Sequence, residues 1–280
     1  MSSTHEFLVD GVRQVYHVAG TGPVCVAHSG GPGIDSGYLR APGLEEHFTM
    51  VYLEPVGTGG SGRLENYDLA TYVRFLGAVV DHLDERKVTV LGHSYGGFVA
   101  LRYALRHPDR VAGLALYDTS PLTGPDFWAA AMAGIEAYPA RCPDVPEAAA
   151  VPAAFQRAVS ATDDETLSSE LRAAIPVYFA DYWARRAEFL RFTQNVRGWA
   201  APAAAPDPIP YDVTPRLGEI GVPTAVVAGA HDFICGPRWA RMLADGIPDA
   251  RLTILEDSGH FGHIEQPAEF TTAVVKALLP

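Results

Sequence analysis

The pentapeptide Gly92-His93-Ser94-Tyr95-Gly96 lies between a short apolar run, Val88 to Leu91, and a helix-patterned stretch, Phe98 to Arg106. A serine between glycines at a strand-to-helix junction marks a sharp turn that lifts its hydroxyl above the end of a sheet. Glycines are needed there because neighbouring side chains would collide. The pattern G-x-S-x-G alone arises about 0.1 times by chance in a chain with this glycine and serine content. Its place between strand and helix is what makes it specific. The bland alternative is a glycine-rich turn with an idle serine.

Around this turn the chain alternates strand and helix texture. Phe7 to Val9, a turn at Asp10-Gly11 and Val12 to Val18 read as a hairpin. Val24 to Ala27, Met50 to Leu53, Val111 to Tyr117, Thr224 to Ala228 and Arg251 to Leu255 are apolar runs of strand length. Residues 68–83 show helical spacing, and further helices are expected near 237–245 and from Pro267 to Leu279. This alternation predicts an α/β fold, a mostly parallel sheet flanked by helices. From about Pro121 to Pro210 alanine, proline and aromatics replace the strand runs, with helix-like stretches near 125–138, 152–160, 164–174 and 177–196. Ala200 to Pro210 reads as a linker. The expected organisation is a core of 1–120 and 211–280 with a helical cap of 121–210.

A serine hydroxyl is a poor nucleophile until a base takes its proton. On such a sheet the acid and then the histidine follow the serine in chain order. Asp232 sits just past the strand at 224–228, and His260 just past the strand at 251–255. Ser94, Asp232 and His260 therefore stand at three strand ends, where open α/β sheets place their sites. Asp118 also follows a strand and is an alternative acid; His263 is an alternative base. His231, His260 and His263 with Cys235 raise the question of zinc, but they lack the spacing of a zinc motif. The developing oxyanion needs donors. The Tyr95 N–H is one candidate, and the glycine loop Gly30-Gly31-Pro32-Gly33 is expected to supply another. No phosphate-binding glycine pattern occurs where it would be needed, so no nucleotide cofactor is expected.

Composition narrows the partners. With 21 basic against 33 acidic residues the net charge is −12, which disfavours nucleic acid. Hydrophobic residues make up 48%, which argues for a packed core over disorder. Three cysteines, Cys25, Cys142 and Cys235, form no CxxC pair, so a reducing cytoplasm is expected. The first residues lack a signal-peptide pattern, and no apolar run has the length of a membrane span. Lysine occurs only at Lys87 and Lys276, a coding bias that points to a bacterial source.

Over roughly residues 5–279 the chain resembles the α/β-hydrolases, and within them the proline iminopeptidase-like branch. The resemblance rests on Gly30-Gly31-Pro32-Gly33, Glu54-x-x-Gly57-x-Gly59-x-Ser61, Gly92-His93-Ser94-Tyr95-Gly96-Gly97, Gly229-Ala230-His231-Asp232, Gly259-His260-Phe261 and Glu265-Gln266-Pro267. It implies Ser94 as nucleophile, Asp232 as acid, His260 as base, Gly31 and Tyr95 as oxyanion donors, no cofactor, and a helical cap over the site. Ser29 stands where the family writes histidine, and Glu54-Pro55-Val56 replaces its Asp-Gln-Arg. In the iminopeptidases, cap carboxylates hold the substrate amine; Glu165, Glu170, Asp181 and Glu188 are the candidates here, with solvated helix faces as their plain reading. Tyr178, Phe179, Tyr182 and Trp183 are candidates to line a pocket. The leading expectation is a serine hydrolase acting through an acyl-enzyme on a small amide or peptide. An esterase, lactonase or thioesterase of small-molecule metabolism is the alternative, and a non-hydrolytic binding or tailoring protein on a hydrolase frame is a third reading.

Overall fold

A computed structural model describes residues 3–201 and 211–279. The strands are β1 (Ser3–Val9), β2 (Val12–Gly20), β3 (Val24–His28), β4 (Thr49–Glu54), β5 (Val88–His93), β6 (Val111–Tyr117), β7 (Thr224–Gly229) and β8 (Ala250–Leu255). They form one sheet in the order β1-β2-β4-β3-β5-β6-β7-β8. β1 and β2 are an antiparallel hairpin about Asp10-Gly11, both at positive φ as a two-residue hairpin turn requires. β2 also pairs antiparallel with β4; every later pairing is parallel.

The helices used below are α1 (Leu69–His82), α2 (Tyr95–Arg106), α3 (Pro125–Glu136), α4 (Val151–Val159), α5 (Asp164–Ala174), α6 (Arg186–Asn195), α7 (Pro237–Gly246) and α8 (Pro267–Leu278). α1 begins where the Asp68 carboxylate accepts the Thr71 N–H at 2.7 Å, a capping bond worth about 1 kcal/mol. Strand side chains alternate between two cores. Val26, Val51, Val90, Leu114 and Val226 pack with α1, α2 and α7 on one face. Cys25, Ala27, Met50, Leu91, Ala115 and Val227 pack with Phe270 and Val274 of α8 on the other. Both faces are covered, which is why the central strands read as unbroken apolar runs.

Between β6 and β7 the chain leaves the sheet. Its departing and returning segments lie side by side: the Thr123 N–H donates to the Tyr211 carbonyl and the Val213 N–H to the Pro121 carbonyl, at 2.7 and 2.9 Å. The helix expected over 177–196 is interrupted. A short 3-10 turn, Ile175–Tyr178, ends in extended backbone at Phe179, and α6 starts only at Arg186. The reason lies outside the segment. The Tyr178 carbonyl accepts the His260 N–H at 2.6 Å, and the Ala180 N–H donates to Glu265 at 2.8 Å. These backbone groups serve the loop after β8 instead of a helix ladder. Residues 202–210 of the expected linker lie outside the described residues. Among the described residues no helix is long and apolar enough to cross a membrane.

Candidate active site

Ser94 follows β5 at φ 54°, ψ −122°, and α2 begins at the next residue. Left-handed backbone at a serine costs about 1–3 kcal/mol and persists only where the surroundings impose it. Here they do. The Ser94 N–H donates to the Tyr117 carbonyl at 3.0 Å, and its carbonyl accepts from the Gly97 N–H and the Thr119 hydroxyl. A Cβ at Gly96 would fall on the His28 carbonyl oxygen, and one at Gly92 on the Gly96 carbonyl. The glycines of the motif thus let β3, β5 and α2 close around the serine.

Asp232 and His260 come from the loops after β7 and β8. The two side chains meet with Nδ1 of His260 2.8 Å from Oδ2 of Asp232, both buried. The carboxylate can only accept, so Nδ1 carries the proton and Nε2 keeps its lone pair. The other Asp232 oxygen accepts the Ile234 N–H at 2.9 Å. The His260 backbone is pinned by Tyr178, and Gly259 by Glu265, whose Oε2 accepts its N–H at 2.7 Å. Burial raises the Glu265 carboxyl to about 7 despite the two backbone donors.

Neither alternative partner holds its expected role. Asp118 accepts the Gly229 N–H at 2.8 Å and does not bond the imidazole. Burial, and then the neighbouring Asp232 carboxylate, push its carboxyl well above the usual range. Both His263 nitrogens are engaged, Nδ1 with the Tyr117 hydroxyl at 3.0 Å and Nε2 with the Tyr38 carbonyl at 2.8 Å. Burial lowers its pKa to about 4. The set considered for zinc does not converge among the described residues; the groups that do are His93, Asp118 and His260, where both His93 nitrogens and Nδ1 of His260 are already hydrogen-bonded.

Ser94 and His260 line one cavity of about 650 Å³, together with the Gly30-Gly31-Pro32 loop and residues of α3, α4, α5 and α6. Its lining includes Trp128, Phe155, Leu171, Ile175, Phe192 and Ile234 and, among the described residues, no aspartate, glutamate, lysine or arginine. Of the predicted pocket aromatics only Tyr178 lines it. Phe179 and Tyr182 are buried with Ile175, Phe189 and Phe261, and Trp183 packs against that cluster. The break after Tyr178 turns them away from the serine. The four candidate carboxylates are also elsewhere. Glu170 pairs with Arg157 at 2.9 Å and Glu188 with Arg185 at 2.6 Å. Asp181 accepts the Ala184 N–H, and Glu165 is exposed in the first turn of α5. Gly31 lines the cavity at φ 122°, and its N–H has no acceptor among the described residues.

Tyr38, Trp199 and Ile234 at the cavity wall were not legible in the sequence, since Tyr38 stands in a short 3-10 turn, Ser36–Leu39, and the other two are isolated residues in loops. Glu265 carried a signal, its place in the Glu265-Gln266-Pro267 motif.

A family model described as the alpha/beta hydrolase fold matches residues 22–267. The chain belongs to the α/β-hydrolase family. It is similar to a 2-hydroxymuconate semialdehyde hydrolase of Pseudomonas sp. (strain CF600), 28% identical over 276 residues, covering 96% of this chain and 91% of that one. It is also similar to the proline iminopeptidase PfmaB of Pestalotiopsis fici, 24% identical over 274 residues, covering 92% and 93%. Among solved structures, an alpha/beta fold family hydrolase from Bacillus anthracis str. Sterne superposes with a TM-score of 0.77 at 21% identity, covering 99% of this chain and all of that one. The protein is thus a hydrolase, and its mostly parallel eight-stranded sheet is that of the α/β-hydrolase fold.

Proposed function

We propose that this α/β-hydrolase cleaves a small, uncharged, largely apolar carboxylic ester or lactone through a Ser94 acyl-enzyme. The observation that carries the reading is the cavity around Ser94, whose described lining holds aromatic and aliphatic side chains and no charged one. An aminopeptidase must pair the substrate ammonium with a carboxylate, because burying it alone is costly. Glu165, Glu170, Asp181 and Glu188 do not line the cavity. A substrate carboxylate likewise finds no guanidinium or ammonium among that lining.

In the proposed reaction Ser94 Oγ bonds to the acyl carbon as its proton passes to His260 Nε2. Asp232 holds the imidazolium that forms and keeps Nε2 as the accepting atom. The N–H groups of Gly31 and Tyr95 stabilise the oxyanion. The tetrahedral species collapses, the C–O bond to the alcohol breaks, and the alcohol leaves with the proton from His260; from a lactone it stays tethered to the acyl group. Water then attacks the acyl-enzyme, gives its proton to His260, and the acid departs as Ser94 recovers its proton. The segment 121–210 acts as the cap, since the side chains that close the cavity above Ser94 come largely from it.

The test compares 4-nitrophenyl acetate and butyrate, a γ-lactone and prolyl-4-nitroanilide under identical conditions. Ester or lactone turnover with no prolyl-anilide cleavage is expected. Prolyl-anilide cleavage faster than that of every ester would overturn the reading.

A further inference from the structure

Three loops must hold register at this site: the glycine loop after β3, the serine turn after β5 and the histidine loop after β8. A chain of hydrogen bonds joins all three. The Gly30 N–H donates to the Tyr38 hydroxyl oxygen at 2.7 Å. That hydroxyl lies 2.6 Å from Nδ1 of His93. Nε2 of His93 lies 2.9 Å from the carbonyl oxygen of His260. A carbonyl only accepts, so the His93 proton is on Nε2. Nδ1 then carries a lone pair, and the Tyr38 O–H must donate to it. The direction of every bond is therefore determined, from Gly30 through Tyr38 and His93 to the backbone of His260. Bonds aligned in this way polarise one another.

Tyr38 is held from a second side as well. Its backbone carbonyl accepts from His263 Nε2, and its ring packs edge-on against Phe192 and Phe261. The Gly30 backbone lies hard against the serine: a Cβ there would stand 2.8 Å from Ser94 Cβ and 3.2 Å from the Tyr38 hydroxyl. Burial, with the His260 and His263 rings nearby, keeps His93 neutral, the state the chain needs.

We propose that Tyr38, acting through His93, is a positioning residue for acyl transfer: its hydroxyl takes up the Gly30 N–H and ties the oxyanion loop to the serine turn and the histidine loop. This rests on the acyl-enzyme reading above. Occupying Gly30 fixes the loop so that the adjacent Gly31 N–H is presented to the oxyanion. The contribution belongs to the transition state, where the oxyanion exists, and not to the bound substrate.

The experiment uses Tyr38→Phe, which keeps the ring and removes the hydroxyl, with His93→Ala and the double variant beside it. Each is assayed for kcat and KM on 4-nitrophenyl butyrate, for inhibition by butaneboronic acid, a tetrahedral oxyanion mimic on Ser94, and by neutral butyramide. Labelling by a fluorophosphonate is run in parallel. Tyr38→Phe is expected to lower kcat about 10–100-fold with KM within about twofold, and to weaken the boronate about tenfold while butyramide inhibition is unchanged. The double variant is expected to lose little beyond the worse single one, because either substitution breaks the same chain. Wild-type kcat and boronate affinity in Tyr38→Phe would overturn the proposal, as would boronate and butyramide weakening together. If Tyr38→Phe does not fold, His93→Ala is read by the same boronate-to-butyramide ratio. If fluorophosphonate does not label wild-type Ser94, the acyl-enzyme reading itself falls and this proposal falls with it; labelled wild type with unaffected variants removes this proposal alone.

Discussion

The imidazole of His260 stands with Nδ1 2.8 Å from the Asp232 carboxylate, while Asp118, at the end of the neighbouring strand, spends one oxygen on the Gly229 N–H. Two aspartates thus lie near one histidine with different partners. Asp118 accepts a backbone N–H and does not bond the imidazole, so replacing it with its amide isostere changes little, whereas the same change at Asp232 removes the acceptor that sets the tautomer. Asp232→Asn is expected to lower kcat about a thousandfold or more, and Asp118→Asn less than about tenfold. Steady-state kinetics of the two variants on one ester check this; equal losses would contradict the assignment.

Ser94→Ala and His260→Ala are each expected to reduce turnover by about a thousandfold or more, with far-ultraviolet circular dichroism unchanged. Fluorophosphonate labelling should disappear in Ser94→Ala, and intact-protein mass spectrometry reads it directly. Residual labelling in that variant would mean that another nucleophile reacts.

Gly96→Ala tests the turn as packing. The added methyl meets the backbone carbonyls of His28 and Ser29 at the end of β3, which are main-chain atoms and not flexible side-chain tips. A loss of about 3 kcal/mol or more, or failure to fold, is expected from overpacking against backbone. Gly221→Ala, where a Cβ meets nothing within 4 Å, serves as the control and should stay within about 0.5 kcal/mol in urea unfolding.

His28 makes stability depend on pH. It is buried; its Nδ1–H donates to the Ser29 carbonyl, and Nε2 has no partner among the described residues. Burial lowers its pKa to about 4 in the folded chain, against 6.5 as its ordinary value. Between these values the unfolded chain binds a proton that the folded chain refuses, so its contribution is intact above pH 6.5 and is lost as pH falls toward 4. His28→Leu should therefore flatten the fall of unfolding free energy on acidification, by up to about 3 kcal/mol across that window. Glu265, raised to about 7, acts with the opposite sign and is common to both proteins. Parallel urea titrations from pH 4 to 7 decide it: identical slopes would refute the role of His28.

Much of this protein is determined locally. Val24 to Ala27, Val88 to Leu91 and Thr224 to Ala228 are nearly continuous apolar runs because both sheet faces are covered, and that burial is visible in single segments of sequence. The strand-end positions of Ser94, Asp232 and His260 were legible for a related reason: each follows such a run. Non-local contacts decided the rest. Residues 177–185 have helix-like composition, yet the Tyr178 carbonyl and the Ala180 N–H bond to residues more than 80 positions away, so Phe179, Tyr182 and Trp183 turn from the serine. The choice of Asp232 over Asp118, the absence of charge from the described cavity lining, and the Tyr38–His93 chain have the same origin. Each depends on which groups from distant segments meet in three dimensions, and a buried polar group takes the partner that the packed backbone brings within about 3 Å, whatever its neighbours in sequence prefer.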